Sequence, residues 1–397
     1  MCFLNERLFP IGGTAIRTLN FARAIKNRGN GVNIITWQPT DTEEFRDTTK
    51  ASNILREGIC IDIMPLGHQF LRKYSRILYV VTILVEFTNF ARKAIQKRKA
   101  IDVIHCATET MWVGVLLKRI VKKPIIADIH ASSFVDEATP SVTKKLRQLL
   151  FKSVLRIADK SIDGYLVPTG ELKNLLVSWG LPSKKLKVIR NAVYLDQKSI
   201  GKSRATIRAE LGLNKDTIAI AFHGILTERY NIDAVNNLSK ISKIVEKEMD
   251  RKVKFIIIGF YERIQIRDEN LIYTGYVENL REYLGAADFA VVPIFENTLG
   301  IRSRLLDYFA ASLPVLTTPV GVVGMKFVLD SGGVIARKNV QELAESVIEL
   351  ANSPEKLKEM AQQSKKLVEW FSPEKIAEDL LSLYSRVIEK NGDLESS

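Results

Sequence analysis

PIFENTLGIRSRLLDYFAASLPVLTTP, residues 293–319, passes from an apolar strand through a helix to a second apolar strand, and that order decides the fold class. The first strand is the run Phe289–Val292, the second Val315–Thr317. Gly300 is expected to open a helix reaching about Ala311, because Ile301, Leu305, Leu306 and Phe309 recur at helical spacing toward a sheet. The first amides of a helix are unpaired and carry the positive end of its dipole, so glycine there lets an anion come close. Arg304 and Asp307 fall on one helical face, a cation for phosphate oxygens and an acceptor for a sugar diol within one turn. The plainer alternative is an ordinary strand-turn-helix with solvated arginines.

The same alternation of short apolar strands and amphipathic helices runs outward from this segment to both ends. That pattern predicts an α/β protein with parallel sheets covered on both faces. One set of strands is expected at Met1–Leu4, Val32–Thr36, Ile61–Met64, Val103–His105, Ile125–Ile129, Gly164–Val167 and Lys187–Ile189. A second set starts afresh at Ile218–Phe222 and continues through Lys254–Ile258, Leu271–Thr274, Phe289–Val292, Val315–Thr317 and Gly333–Ile335. Two sheets imply two domains. The polar, aperiodic stretch from Asp196 to Arg204 reads as their linker, giving domains at 1–196 and 197–371 and a terminal helical segment at 372–397.

Composition bounds the class. With 397 residues and 46% hydrophobic content there is ample apolar material for two cores. The three cysteines, Cys2, Cys60 and Cys106, form no close pair, so neither a disulfide framework nor a zinc ribbon is expected. No run reaches a membrane span and no signal-peptide order opens the chain, so a soluble, cytoplasmic protein is expected. The four histidines, His68, His105, His130 and His223, show no metal-ligand spacing, and no metal site is predicted.

The segment Gly-Ile-Arg-x-Arg-x-Leu-Asp, followed by Ala-x-x-x-Pro-Val-x-x-Thr, resembles the donor-binding segment of GT-B glycosyltransferases, especially the retaining family four. The resemblance implies two doubly wound Rossmann-like domains facing each other across a cleft, the first for the acceptor and the second for the nucleotide sugar. It also implies a last helix that crosses back to the first domain. On its pattern Asp307 holds the nucleotide ribose and Arg304 the diphosphate, with Gly300 and Ile301 beside the donor. The family's first glutamate would fall at Leu299, so this chain follows the branch that begins with Gly-Ile-Arg. PIGGTAIR, residues 10–17, resembles the Gly-Gly loop near the donor diphosphate and acceptor, assigning Gly12, Gly13 and Arg17 to that side, Gly13 also to the donor. IIADIHAS places Asp128 and His130 at a strand end, where family likeness puts a residue touching the transferred sugar; a structural hydrogen-bonding role is the alternative. LKVIRNAVYLD resembles the element that ends the first domain, with Asn191 shaping the hinge. Gly224 matches the glycine beneath the diphosphate. The cations usual after it are replaced by Ile225 and Tyr230, and Arg229 is expected to supply the missing charge.

The reaction implied by the resemblance is transfer of a sugar from a nucleoside diphosphate sugar to an acceptor hydroxyl or lipid-linked acceptor. Configuration would be retained and neither metal nor other cofactor needed, with His130 and Arg304 closest to the chemistry. Two rival readings remain: a sugar-nucleotide epimerase on the same fold, and a non-catalytic scaffold derived from a transferase. Charge is distributed unevenly, with residues 1–200 at +15 and 201–397 at −2. Basic clusters flank an apolar run at Ile77–Phe90, a pattern that suits either an anionic membrane surface or a core helix with solvated ends. No nucleic-acid recognition pattern accompanies the basic half.

Overall fold

The computed structural model describes residues 1–5, 13–38, 58–65, 88, 91–130, 142–193, 201–227, 229–261, 266–296 and 303–396. The chain divides into two compact units, Met1–Ala192 together with Pro373–Ser397, and Val193–Ser372.

The first unit is built on strands β1 (Cys2–Asn5), β2 (Asn33–Gln38), β3 (Cys60–Pro65), β4 (Ile104–Ala107), β5 (Ile125–Asp128), β6 (Gly164–Val167) and β7 (Leu186–Val188). They form a parallel sheet in the order β3-β2-β1-β4-β5-β6-β7. β4, β5 and β6 are buried at every residue, which is why their sequences are mostly apolar rather than alternating, with His105 and Asp128 as buried polar exceptions. Helices α1 (Gly13–Asn27), α2 (Met111–Val121), α3 (Val142–Ala158) and α4 (Gly170–Ser178) cover the sheet. Thr169 caps α4 by accepting from the Leu172 amide at 3.0 Å, a contact worth about 1 kcal/mol.

The second unit carries β8 (Ile218–His223), β9 (Val253–Ile258), β10 (Leu271–Gly275), β11 (Phe289–Val292), β12 (Val315–Thr317) and β13 (Val334–Ala336), again all parallel, in the order β10-β9-β8-β11-β12-β13. Around it lie α5 (Arg204–Glu210), α6 (Arg229–Glu248), α7 (Leu280–Ala286), α8 (Arg304–Ala310), α9 (Val340–Ala351) and α10 (Pro354–Leu367). Its core draws on residues from Val193 to Phe371 and includes Phe222, Phe255, Phe289, Tyr308 and Phe309.

The last helix, α11 (Pro373–Ser396), starts with proline at its first position, where the missing amide costs nothing. It packs within the first unit: a Cβ added at Gly164 on β6 would sit 3.4 and 3.5 Å from Val387 and Leu383, so glycine lets helix and sheet meet. Both sheets reverse their strand order once, between β1 and β4 and between β8 and β11. In doubly wound sheets ligands gather at the carboxyl ends of strands beside such a switch point. The motif-bearing segments that follow β1, β8 and β11 leave from those ends.

Candidate functional site

In the second unit β8 ends in Phe222 and His223, and Gly224 follows. A Cβ at Gly224 would lie 3.0 Å from both Arg304 Nη2 and Asn231 Nδ2, so the missing side chain makes room for these two groups. Gly259, after β9, approaches closer still: its φ is +139°, and a Cβ there would fall 1.9 Å from the Gly224 carbonyl oxygen. The two glycines set how tightly the strand ends converge under the site.

Arg304, the first residue of α8, is only 8% exposed. Its Nη2 donates to Asn231 Oδ1 at 2.5 Å, and its guanidinium lies 5.0 Å from the Phe222 ring centre and 5.9 Å from that of Tyr230. Arg304 Nη1 is buried with no hydrogen-bond partner among the described residues. Buried donors are almost always satisfied, so an orphaned guanidinium nitrogen at a strand switch point is a place for an acceptor that arrives from outside. One turn along, Asp307 keeps 48% of its side chain exposed and brings Oδ2 to 3.3 Å from His223 Nε2. Despite that open edge, the protein packed around the carboxyl raises its pKa to about 7, outweighing the opposing pull of Arg304. His223 is held down to about 3, by burial first and by the Arg304 charge second, and is therefore a neutral imidazole. Its backbone N–H donates to Tyr308 Oη at 3.0 Å, fixing the end of β8 to α8.

The structure thus brings Gly224, Arg304 and Asp307 together. Arg229 is not among them. It begins α6 with its side chain 91% exposed and its Nε 3.8 Å from Asp233 Oδ2, because the residue of that turn pointing inward is Asn231. Gly300, Ile301 and Arg302 lie outside the described residues, and the described helix runs from Arg304. No motif marks Asn231, His223 or Tyr308. The helical period of α6 puts Asn231 in line with Ala234 and Leu238, and that spacing is the one signal in the sequence for an inward-facing amide.

In the first unit Gly13 is the first residue of α1, and Gly12 lies outside the described residues. Arg17 points inward, not toward an open surface, and is 2% exposed. Its Nε and Nη2 donate to the two Asp128 oxygens at 2.7 and 3.1 Å, its Nη1 to Asn191 Oδ1 at 2.6 Å and its Nη2 also to the Ile189 carbonyl at 2.9 Å. Phe21 lies under the guanidinium, 4.3 Å from its ring centre. Arg17 therefore ties α1 to the ends of β5 and β7 and presents no free charge. Asn191 serves the same knot.

Asp128 also faces His105 Nε2 at 3.5 Å and His130 Nδ1 at 3.8 Å. Burial alone would raise its pKa, but Arg17 and then the two histidines outweigh burial and hold it well below the usual carboxylate range. A carboxylate only accepts, so His105 carries its proton on Nε2 and takes the Tyr384 hydroxyl on Nδ1, at 2.7 Å. His130 stands at the outer end of this chain, its amide donating to Thr108 Oγ1 at 3.1 Å while that hydroxyl donates to the Asp128 carbonyl. Among the described residues no group of three or more His, Cys, Asp or Glu converges as a metal site would require.

Both compact units match known protein families. Residues 11–197 match the family described as Glycosyltransferase Family 4, and residues 217–353 that described as Glycosyl transferases group 1. The chain is 27% identical over 188 residues to an uncharacterized 41.2 kDa protein in the cps region of Klebsiella pneumoniae, covering 45% of this chain and 48% of that one. It is 27% identical over 148 residues to TuaC of Bacillus subtilis, a putative teichuronic acid biosynthesis glycosyltransferase, covering 37% and 36%. The match thus spans about half or less of these relatives' lengths. A crystal structure of Anabaena HepE in complex with UDP and glucose superposes with a TM-score of 0.70 over 97% of this chain and 99% of HepE, at 13% identity. With family 4 matched in the first unit, group 1 in the second, and two parallel switch-point sheets beneath them, the chain belongs to the GT-B group 1 glycosyltransferases.

Proposed function

We propose that this protein transfers a sugar from a nucleoside diphosphate sugar to a glycan or lipid-linked acceptor hydroxyl, with retained configuration and without a metal or other cofactor. The observation that carries the reading is the buried Arg304 guanidinium with its orphaned Nη1, set beside Gly224 and one turn before Asp307. In this reading Arg304 takes the diphosphate and stabilises the charge that grows on it as the glycosidic bond breaks. Asp307, as carboxylate, accepts from the ribose diol. Gly224 and Gly13 let backbone approach the donor, and His130, backed by Asp128, meets the transferred sugar. The solved relative HepE holds UDP and glucose, which supports a nucleotide-sugar donor here. An epimerase would need a pair of acids near the sugar, and Asp128 is instead locked to Arg17. Thermal-shift titration with a panel of nucleoside diphosphates, followed by transfer assays with the matching sugar nucleotides, tests the proposal: a nucleotide-dependent rise in melting temperature and acceptor glycosylation are expected. No shift with any nucleotide, or turnover that requires magnesium or manganese, overturns it.

The acceptor side is proposed to work against an anionic membrane from the cytoplasmic face, with the protein peripheral to it. The apolar run Ile77–Phe90 lies almost wholly outside the described residues, but α2 and α3 support the same reading. β4, β5 and β6 are consecutive parallel neighbours, so right-handed crossovers put α2 and α3 on one face of the sheet. On α2, Trp112, Leu116 and Ile120 are exposed; on α3, Leu149, Leu150, Val154 and Ile157 are, the last at 72%. Neither helix contains an acidic residue, and among the described side chains of α3 are Lys152 and Arg156. Exposed apolar side chains on helices that carry no acidic residue suit the interface of an anionic bilayer. Among the described residues no helix is long and apolar enough to cross one. Co-sedimentation with phosphatidylglycerol vesicles but not with neutral ones is expected, lost on Ile157→Asp; equal partitioning onto both refutes it.

A further inference from the structure

A guanidinium taken out of water is normally matched by a carboxylate, because an uncompensated charge in the interior is costly. Arg304 breaks that pattern. Its one hydrogen-bond partner among the described residues is the side-chain oxygen of Asn231, a neutral amide that is 1% exposed. The Asn231 amide nitrogen donates in turn to the Ile225 carbonyl at 2.8 Å, so the same side chain anchors the loop that leaves β8. The faces of Phe222 and Tyr230 also lie against the guanidinium and favour a cation without cancelling it. The nearby carboxylate on α8, Asp307, makes no ion pair with Arg304 and faces His223 instead.

We infer that Asn231 is the positioning residue of the donor site, holding Arg304 in place by a neutral hydrogen bond so that its whole positive charge is left for an incoming diphosphate. This role rests on the donor reading proposed above and extends it to a residue outside the motif. Local geometry explains why an amide suits the task. Its oxygen fixes one guanidinium nitrogen, its nitrogen is occupied by Ile225, and Gly224 leaves both groups the space they need. A carboxylate of the same shape would keep the first bond and place a negative charge against the guanidinium. It would also oppose the Ile225 carbonyl, lone pair to lone pair.

Asn231→Asp and Asn231→Ala separate the two halves of the role, with inorganic pyrophosphate as a probe that does not depend on the base or sugar. In Asn231→Asp the new charge occupies Arg304, so affinity for pyrophosphate and for the best nucleoside diphosphate is expected to fall at least about tenfold, roughly 1.4 kcal/mol. In Asn231→Ala the charge stays but its aim is lost: pyrophosphate affinity is expected to remain within about threefold while kcat falls at least about tenfold with KM little changed. Pyrophosphate binding to a folded Asn231→Asp protein as tight as to wild type overturns the role. So does unchanged kcat in Asn231→Ala, which decides the question if the Asp variant does not fold. A wild-type protein that binds neither pyrophosphate nor any nucleoside diphosphate removes the donor reading itself, and the role of Asn231 with it.

Discussion

His223 Nε2 and Asp307 Oδ2 lie 3.3 Å apart, a neutral imidazole against a carboxyl whose pKa has risen to about 7. The pair sits where the ribose of a donor is proposed to bind, so the protonation state of Asp307 enters directly into nucleotide affinity. Below about pH 7 the carboxyl is protonated and loses its charge-assisted bonds to the diol; above it they return. Wild-type affinity for a nucleoside diphosphate is expected to rise between pH 6 and 8 by more than in Asp307→Asn, which has no such titration. Because phosphate titrates nearby too, the difference between the two proteins is the measurement. Parallel pH profiles argue against Asp307 as the ribose ligand. In the free protein the sign reverses, since a raised carboxyl pKa contributes stability at low pH that is lost as pH rises from about 4 through 7.

Asp307→Ala removes hydrogen bonds to a charged group, each worth roughly 1.5–3 kcal/mol, so nucleotide affinity is expected to drop at least about tenfold. Calorimetric titration of the folded variant checks this.

Arg304→Ala is expected to abolish most turnover, by about 10²-fold or more, as removal of a leaving-group donor does in other enzymes. Chelator treatment of the wild type should leave the rate unchanged. Steady-state assays with and without chelator decide both points.

Gly259→Ala forces a Cβ into the Gly224 carbonyl and strains a backbone at φ +139°. Neither contact is a flexible side-chain end, so the strand ends must part. A loss of about 2 kcal/mol or more is expected in denaturant unfolding, together with weaker nucleotide binding.

Asp128→Asn leaves Arg17 buried without its carboxylate, and a loss of about 3–5 kcal/mol is expected. The wild-type ion pair also sets an acid limit. Asp128, lowered in the fold, contributes stability that is present above about pH 4 and is lost as pH falls toward its folded value. His105, buried and lowered, adds a loss that begins as pH drops below about 6.5. Unfolding followed from pH 7 to pH 3 should show both losses in the wild type; in Asp128→Asn the loss below about pH 4 that belongs to Asp128 disappears, while the His105 loss, no longer opposed by a carboxylate, extends to lower pH.

The parallel strands were legible in the sequence because burial on both faces writes itself as uninterrupted apolar runs such as Phe289–Val292. That Arg304 and Asp307 share one helical face was legible because a short motif fixes their spacing. Asn231 was not, since its partners, Arg304 and Ile225, are 73 and 6 residues away and an asparagine in a first helical turn carries no mark of what it faces. Arg17 misled for the same reason. A cation after a Gly-Gly loop looks available to ligand until Asp128, 111 residues on, is seen to hold it. Local chemistry is written in local sequence; which buried polar groups satisfy each other is written only in the topology.

Tyr384 reaches His105 from α11, across 279 residues of chain. During synthesis from the N-terminus, the first sheet is therefore made early yet lacks the phenol that completes its histidine until residue 384 has been translated. The second unit, unbroken from Val193 to Ser372, has all of its own residues sooner. At about 5–20 residues per second the nascent first unit spends on the order of ten seconds or more with that polar chain open and the bed of α11 uncovered. A truncation that removes α11 makes this interval permanent, and a stalled ribosome near codon 372 would display the same half-finished sheet to chaperones.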